Sequence, residues 1–177
     1  KAEESLQECR RCLRKQPNDN HLKLLEAQIL RFLMEDTEAQ KRLEELRSAK
    51  DLTGEELHAA AMTADGLEQW LLTKYFAEKG LPLIAGEDRV KLLLQLGDAL
   101  SRLNLFNEAE NNYLKAFKLN PSGRVIETLI SFYLARKKYD LVVKYCTLSL
   151  DHNKDDNSLT IVKHHRLRGE SFLQLGR

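Results

Sequence analysis

The stretch VKLLLQLGDALSRLNLFNEAENNYLKAFKLNP, residues 90–121, decides the fold. Its large apolar residues, Leu93, Leu96, Leu100, Phe106, Tyr113 and Phe117, recur at the three- and four-residue spacings of helices that bury one face. Small residues, Gly97, Ala109 and Ala116, stand among them. A small side chain is needed where two helix axes approach to about 8–10 Å. The pattern breaks over Asn104–Asn107, so the stretch reads as two amphipathic helices joined by a short turn. Pro121 ends the second helix, because the residue before a proline avoids the α region.

These residues resemble the tetratricopeptide repeat. That family places apolar, apolar, small, apolar or aromatic, small, aromatic, small and proline residues at positions 4, 7, 8, 11, 20, 24, 27 and 32. Counted from Val90, the sequence supplies Leu93, Leu96, Gly97, Leu100, Ala109, Tyr113, Ala116 and Pro121. The neighbours repeat the pattern with lower fidelity. From Asn20 the same positions hold Ala27, Leu30, Ala39, Leu43 and Leu46, with Lys23 a departure at position 4. From Gly123 they hold Ile126, Leu129, Tyr133, Val142 and Cys146, with Tyr139 aligned to Phe106. Ile130 is large for position 8, which predicts looser or shifted helix packing there.

The weakest segment is 48–88. Thr53 and Glu56 form a capping-box pattern that predicts a helix start near Gly54, and Trp70, Leu71, Tyr75 and Phe76 lie on a second amphipathic run. The resulting organisation is one array over 1–177. It comprises a second helix of a partial repeat (1–17), a repeat (20–50), a degenerate repeat or one kinked helix (54–84), the best-matching repeat (90–121), a repeat (123–153) and a first helix of a partial repeat (162–177). Residues 151–158 read as an elongated turn. The resemblance implies an all-α, right-handed superhelical α-solenoid of antiparallel helix pairs. A partial repeat at each end fits a piece of a longer protein, since stacked repeats need polar caps.

Composition excludes several classes. Apolar residues at 42% exclude a disordered chain, and a net charge of +1 supplies no global field for nucleic acid or anionic membranes. No apolar run reaches the roughly 18 residues of a membrane span. Three cysteines without framework spacing argue against a disulfide-stapled secreted domain, so a cytoplasmic or nuclear setting is expected.

No catalytic signature is present: no nucleophile elbow, phosphate loop, dinucleotide fingerprint or zincin motif occurs. No enzymatic activity and no cofactor are expected. Cys9 and Cys12 have the spacing of half a zinc site, but they also fall on the close-packed positions 24 and 27, where buried cysteine acts as a small hydrophobe. No metal is expected there. Trp70, Tyr75 and Phe76 read first as core and second as an exposed stacking platform.

The expected function is a protein-interaction scaffold or adaptor that binds a peptide or partner helix. In tetratricopeptide arrays, positions 2, 5, 9, 12 and 13 of the first helix line the concave face. Position 2 holds His21, Lys91, Arg124 and Lys163, and position 5 of the last partial repeat holds Arg166. A basic column of this kind suits an acidic protein or peptide partner through charge-assisted hydrogen bonds. The carboxylate clamp of chaperone-binding repeats is not matched: Leu94 and Asp98, or Leu24 and Gln28, stand where it needs Lys and Asn, and Leu167 stands where it needs Arg. The alternatives are an RNA-binding helical repeat, favoured by the cluster Lys163–Arg168 and opposed by the near-neutral charge, and the targeting arm of a larger enzyme. Self-association through the end helices is a further reading.

Overall fold

The computed structural model describes residues 1–152 and 159–176. The described residues form ten helices and no strand. They are α1 (Ala2–Lys15), α2 (Asn20–Phe32), α3 (Asp36–Arg47), α4 (Gly54–Gly66), α5 (Trp70–Gly80), α6 (Gly86–Arg102), α7 (Phe106–Leu119), α8 (Gly123–Ala135), α9 (Tyr139–His152) and α10 (Leu159–Gln174). Most of the turn expected over 151–158 lies outside the described residues; Asp151 and His152 belong to α9. The chain divides into two compact units, Lys1–Ala109 and Glu110–Arg177.

The same turn recurs within the helix pairs. Each of α2, α4, α6 and α8 stops, and two residues later a residue enters the left-handed region: Met34 (φ 61°), Glu68 (φ 55°), Asn104 (φ 61°) and Lys137 (φ 56°). The next amide then donates back to the carbonyl five residues earlier: Glu35 to Leu30 at 2.9 Å, Gln69 to Ala64 at 2.9 Å, Leu105 to Leu100 at 2.9 Å and Lys138 to Tyr133 at 3.0 Å. This is the Schellman closure, which satisfies a carbonyl that a helix end leaves open. Gly176, at φ 69°, stands in the same place after α10. Asparagine and glycine enter this region readily; methionine, glutamate and lysine do so here because the flanking helices pack.

In the first unit each helix packs on its neighbours, and α2, α3 and α4 also pack on the next helix but one. The contacts run α1–α2, α2–α3, α3–α4, α4–α5 and α5–α6, with α2–α4, α3–α5 and α4–α6 across the stack. The first helices α2, α4 and α6 therefore form one layer, and α3 and α5 another. Small residues sit where the layers meet: Ala27, Ala39, Ala60, Ala61, Ala64, Ala77 and Ala99 are fully buried. Thr73, also buried, satisfies its hydroxyl on the Gln69 carbonyl at 3.2 Å. The capping box opens α4 as its sequence pattern requires, with Glu56 N–H donating to Thr53 Oγ1 at 3.2 Å and Thr53 N–H to Glu56 Oε2 at 2.9 Å. Phe76 is fully buried, whereas Trp70 and Tyr75 are half-buried. Arg102 lies over the Trp70 ring, and the Tyr75 hydroxyl donates to the Arg47 carbonyl at 2.9 Å.

The second unit packs α8 on α9 and α9 on α10 around aromatic side chains. Tyr113 meets Phe132 edge-on at 5.2 Å, Phe132 meets Tyr133 at 5.5 Å, and Tyr133 stacks on Tyr145 at 5.6 Å. The Tyr133 hydroxyl donates to Glu110 at 2.9 Å; burial and that carboxylate push its pKa well up. Ile130, large for its repeat position, is nonetheless fully buried. Burial also pushes the Cys146 thiol up to about 11.

Two glycines separate crowded from open positions. A Cβ on Gly80 would stand 3.1 Å from Leu92 Cδ2 and 3.2 Å from Leu57 Cβ, whereas a Cβ on Gly169 would meet nothing within 4 Å. Gly80→Leu should therefore lower unfolding free energy by about 1–3 kcal/mol through overpacking. Gly169→Ala, inside a helix, should raise it by up to about 1 kcal/mol. Urea titrations check both, followed for Gly80 by the fluorescence of Trp70, the sole tryptophan, and for Gly169 by circular dichroism.

Candidate partner-binding face

The first-helix layer of the first unit exposes a mixed surface. Arg31 of α2 lies across Gly66 of α4, where any added methyl would collide with its guanidinium. Beside it, Asp65 faces Asp98, Gln95 and Arg102 of α6 as well as Arg31. Burial and the Asp98 carboxylate raise the Asp65 carboxyl above its ordinary value, against the opposing pull of Gln95 and the two arginines. The most exposed large apolar side chains on these helices are Phe32 at 76% and Met62 at 56%, ahead of Leu25 at 38%. Phe32 and Met62 lie at positions 13 and 9 of their repeats, among those that the tetratricopeptide pattern assigns to the partner face.

Of the basic column, the first unit holds His21 and Lys91. His21 is exposed in the first turn of α2. Lys91 bonds Asp88 at 3.1 Å and approaches Glu87 at 3.2 Å, both on its own helix. These two residues are not brought together, because α4 packs between α2 and α6.

The second unit holds Arg124, Lys163 and Arg166. Lys163 of α10 bonds Glu127 of α8 at 2.7 Å, and Arg124 stands one turn before Glu127 on α8. Arg166 is 3.6 Å from Glu170 on its own helix and remains 71% exposed. His164, by contrast, points inward: it is 1% exposed, with Nε2 2.6 Å from Glu127 Oε1. Burial works to raise the Glu127 carboxyl, but the Lys163 bond and the His164 ring outweigh it, and the net shift is downward. The cluster 163–168 is therefore split between surface and interior.

A feature missed by sequence reasoning lies between α1, α2 and α3. Glu26 of α2 is fully buried, yet Arg10 of α1 bonds its Oε1 through Nε at 2.8 Å, and Arg42 of α3 reaches Oε2 through Nε at 2.7 Å. The signal was present: Glu26 falls on position 7 of its repeat, an apolar position, three residues after the departure at Lys23. Cys9 is buried nearby and donates to the Leu22 carbonyl at 3.3 Å, and burial raises its thiol pKa. No group of His, Cys, Asp and Glu able to hold a metal occurs among the described residues.

Solved structures share this architecture. The crystal structure of MamA matches with a TM-score of 0.71 over 86% of this chain and 89% of its own, at 14% identity. YrrB, described as a TPR protein with an unusual peptide-binding site, matches with a TM-score of 0.71 over 92% of this chain and 82% of its own, at 15% identity. BtubC (BKLC) from P. vanneervenii matches with a TM-score of 0.65 over 99% of this chain and 82% of its own, at 15% identity. The fold is thus an all-α helical solenoid of the tetratricopeptide type. No protein-family model matches the chain, and no curated protein matches it in sequence.

The two carboxylates respond oppositely to pH. A raised carboxyl makes stability fall as pH climbs from the ordinary value through the raised one; a lowered carboxyl makes stability fall as pH drops through the lowered one. At pH 7, Asp65→Asn should therefore raise the urea midpoint and Glu127→Gln should lower it. Both differences should shrink on acidification, as measured by urea titrations from pH 7 to pH 3.

Proposed function

We propose that this chain is a non-catalytic interaction scaffold whose first-helix face holds a peptide or partner helix. The observation that carries the reading is the exposure of Phe32 on α2 and Met62 on α4, in the helix layer that also holds the Arg31–Asp65–Asp98 cluster. Apolar anchors ringed by polar groups are how interfaces concentrate binding energy. A tetratricopeptide-type fold with a peptide-binding site in YrrB supports the same reading by analogy of fold. In the second unit the cations Arg124, Lys163 and Arg166 form a surface of that unit's own that suits an acidic partner, and His21 and Lys91 belong to the first unit. The internal ion pairs of Lys91 and Lys163 reduce the field that these cations present, so shape and apolar anchors carry more of the affinity than charge. Because the helices are preformed, the ordering cost falls on the partner.

Two double variants test this. Phe32→Glu/Met62→Glu alters the first unit's face. Arg124→Glu/Arg166→Glu alters the second while leaving the Lys163–Glu127 pair in place. A partner captured by the wild type and identified by mass spectrometry should lose at least tenfold in affinity with one of them, at unchanged helical content by circular dichroism. Wild-type affinity in both folded variants would refute the face.

A further inference from the structure

We infer that the cleft between α1, α2 and α3 is a second binding site, which takes an acidic peptide segment of a partner protein. The cleft has a volume of about 460 Å³ and is lined by the cations Arg10, Arg14, Lys23 and Arg42, with Leu13 and Pro17 as its apolar part and Glu45 as its only lining carboxylate. That volume lies in the range of ligand sites, about 300–1,000 Å³.

Three observations assign it a ligand. First, the repeat sacrifices core positions to build it. Positions 4 and 7 hold Leu57 and Ala60, Leu93 and Leu96, and Ile126 and Leu129 in the other repeats, all buried, but Lys23 and Glu26 here. Local departures from an otherwise consistent pattern mark function. Second, Glu26 positions two of the cations. It engages Arg10 and Arg42 through Nε, and among the described residues the terminal nitrogens of Arg10 make no ion pair. The side chain of Arg10 stays 43% exposed and that of Arg42 31%. A guanidinium fixed in this way loses little entropy when it binds a carboxylate by its fork. Third, the charge is unbalanced. Four cations face two carboxylates, Glu26 and Glu45, and Glu45 is already bonded by Arg42 at 2.8 Å. Among the described residues, Arg14 and Lys23 make no ion pair, although Arg10 and Arg14 repel one another one turn apart on α1.

Leu13 and Pro17 decide the class of ligand. An apolar patch flanked by cations fits a peptide that alternates acidic and apolar residues. The lining holds no aromatic ring on which a base could stack, which disfavours a nucleic acid strand.

The test uses the full chain and a fluorescein-labelled peptide of four Asp-Asp-Leu repeats, with binding read by anisotropy. Saturable binding is expected. It should weaken at least tenfold for Arg14→Glu/Lys23→Glu, and at least threefold for Arg14→Ala/Lys23→Ala, with circular dichroism confirming that both are folded. The Asn-Asn-Leu counterpart should bind at least tenfold more weakly. Phe32→Glu/Met62→Glu and Arg124→Glu/Arg166→Glu should leave binding of this peptide unchanged, which separates the cleft from the first-helix face. Glu26→Gln makes the cleft more positive, so weaker binding by that variant marks the positioning role of Glu26, and tighter binding refutes it. Equal affinity of wild type and the folded Arg14→Glu/Lys23→Glu variant, equal affinity for the neutral peptide, or no saturation would overturn the assignment. So would a uridine oligonucleotide that binds more tightly than the peptide and is lost in the same variant.

Discussion

The left-handed residue that closes each first helix is the constraint on which the rest depends. It turns the chain back within three residues, so that the second helix must run antiparallel against the first. The amide that follows it satisfies a carbonyl that would otherwise be buried without a partner. Forcing a side chain into that conformation costs about 1–2 kcal/mol. Only Asn104 and Gly176 suit it by residue type; at Met34, Glu68 and Lys137 the packing of the flanking helices meets the cost. Fixing the turn fixes the register of the pair, and the register decides which side chains are pressed together. Ala39, Thr73, Ala109 and Val142, each fully buried three residues into the second helix, show how little space it leaves.

Charge shapes the surface as much as register shapes the core. Most of the cations that a sequence count would assign to a basic groove are answered by carboxylates: Lys91 by Glu87 and Asp88, Lys163 by Glu127, Arg166 by Glu170. Exposed pairs of this kind contribute little to stability. Their larger effect is on recognition, because they cancel the field at those points and leave it at Arg14, Lys23 and Arg124. The buried Glu26 is different in kind. Its two arginines compensate a desolvation penalty of several kcal/mol, and in doing so they tie α1, α2 and α3 together.

The helix pairs were legible in the sequence because the determinants are local. Gly97, Ala109 and Ala116 announce close approach by their size, Thr53 and Glu56 announce a helix start, and Asn104 announces a turn. The other turns were not legible, since Met34, Glu68 and Lys137 carry no propensity for the conformation they adopt; tertiary packing imposes it. The pairing of Lys91 could have been read from carboxylates three and four residues before it. That of Lys163 could not, because Glu127 lies 36 residues away and only folding brings them together. The burial of His164 could not be read for the same reason, since it depends on α8 and α9. Glu26 was visible as a charge on an apolar position, but the two arginines that make it tolerable lie on other helices.

The constancy of the turn has an evolutionary consequence. From the last residue of each first helix to the first residue of its partner the count is the same for α2 and α3, α4 and α5, α6 and α7, and α8 and α9. The connections back to the next first helix vary: six residues separate α3 from α4, five separate α5 from α6, and three separate α7 from α8. Length therefore varies in the connections between helix pairs and not in the turns within them. In one of those connections lie the loop residues Ser48, Ala49, Lys50 and Leu52, which with Tyr75 and Lys79 border a cleft of about 430 Å³. A lineage could diversify its contacts there by lengthening loops, residue by residue, without disturbing the helix register. Grafted segments and affinity tags placed in those connections would be accommodated where the same additions at Met34 or Asn104 would break the pair.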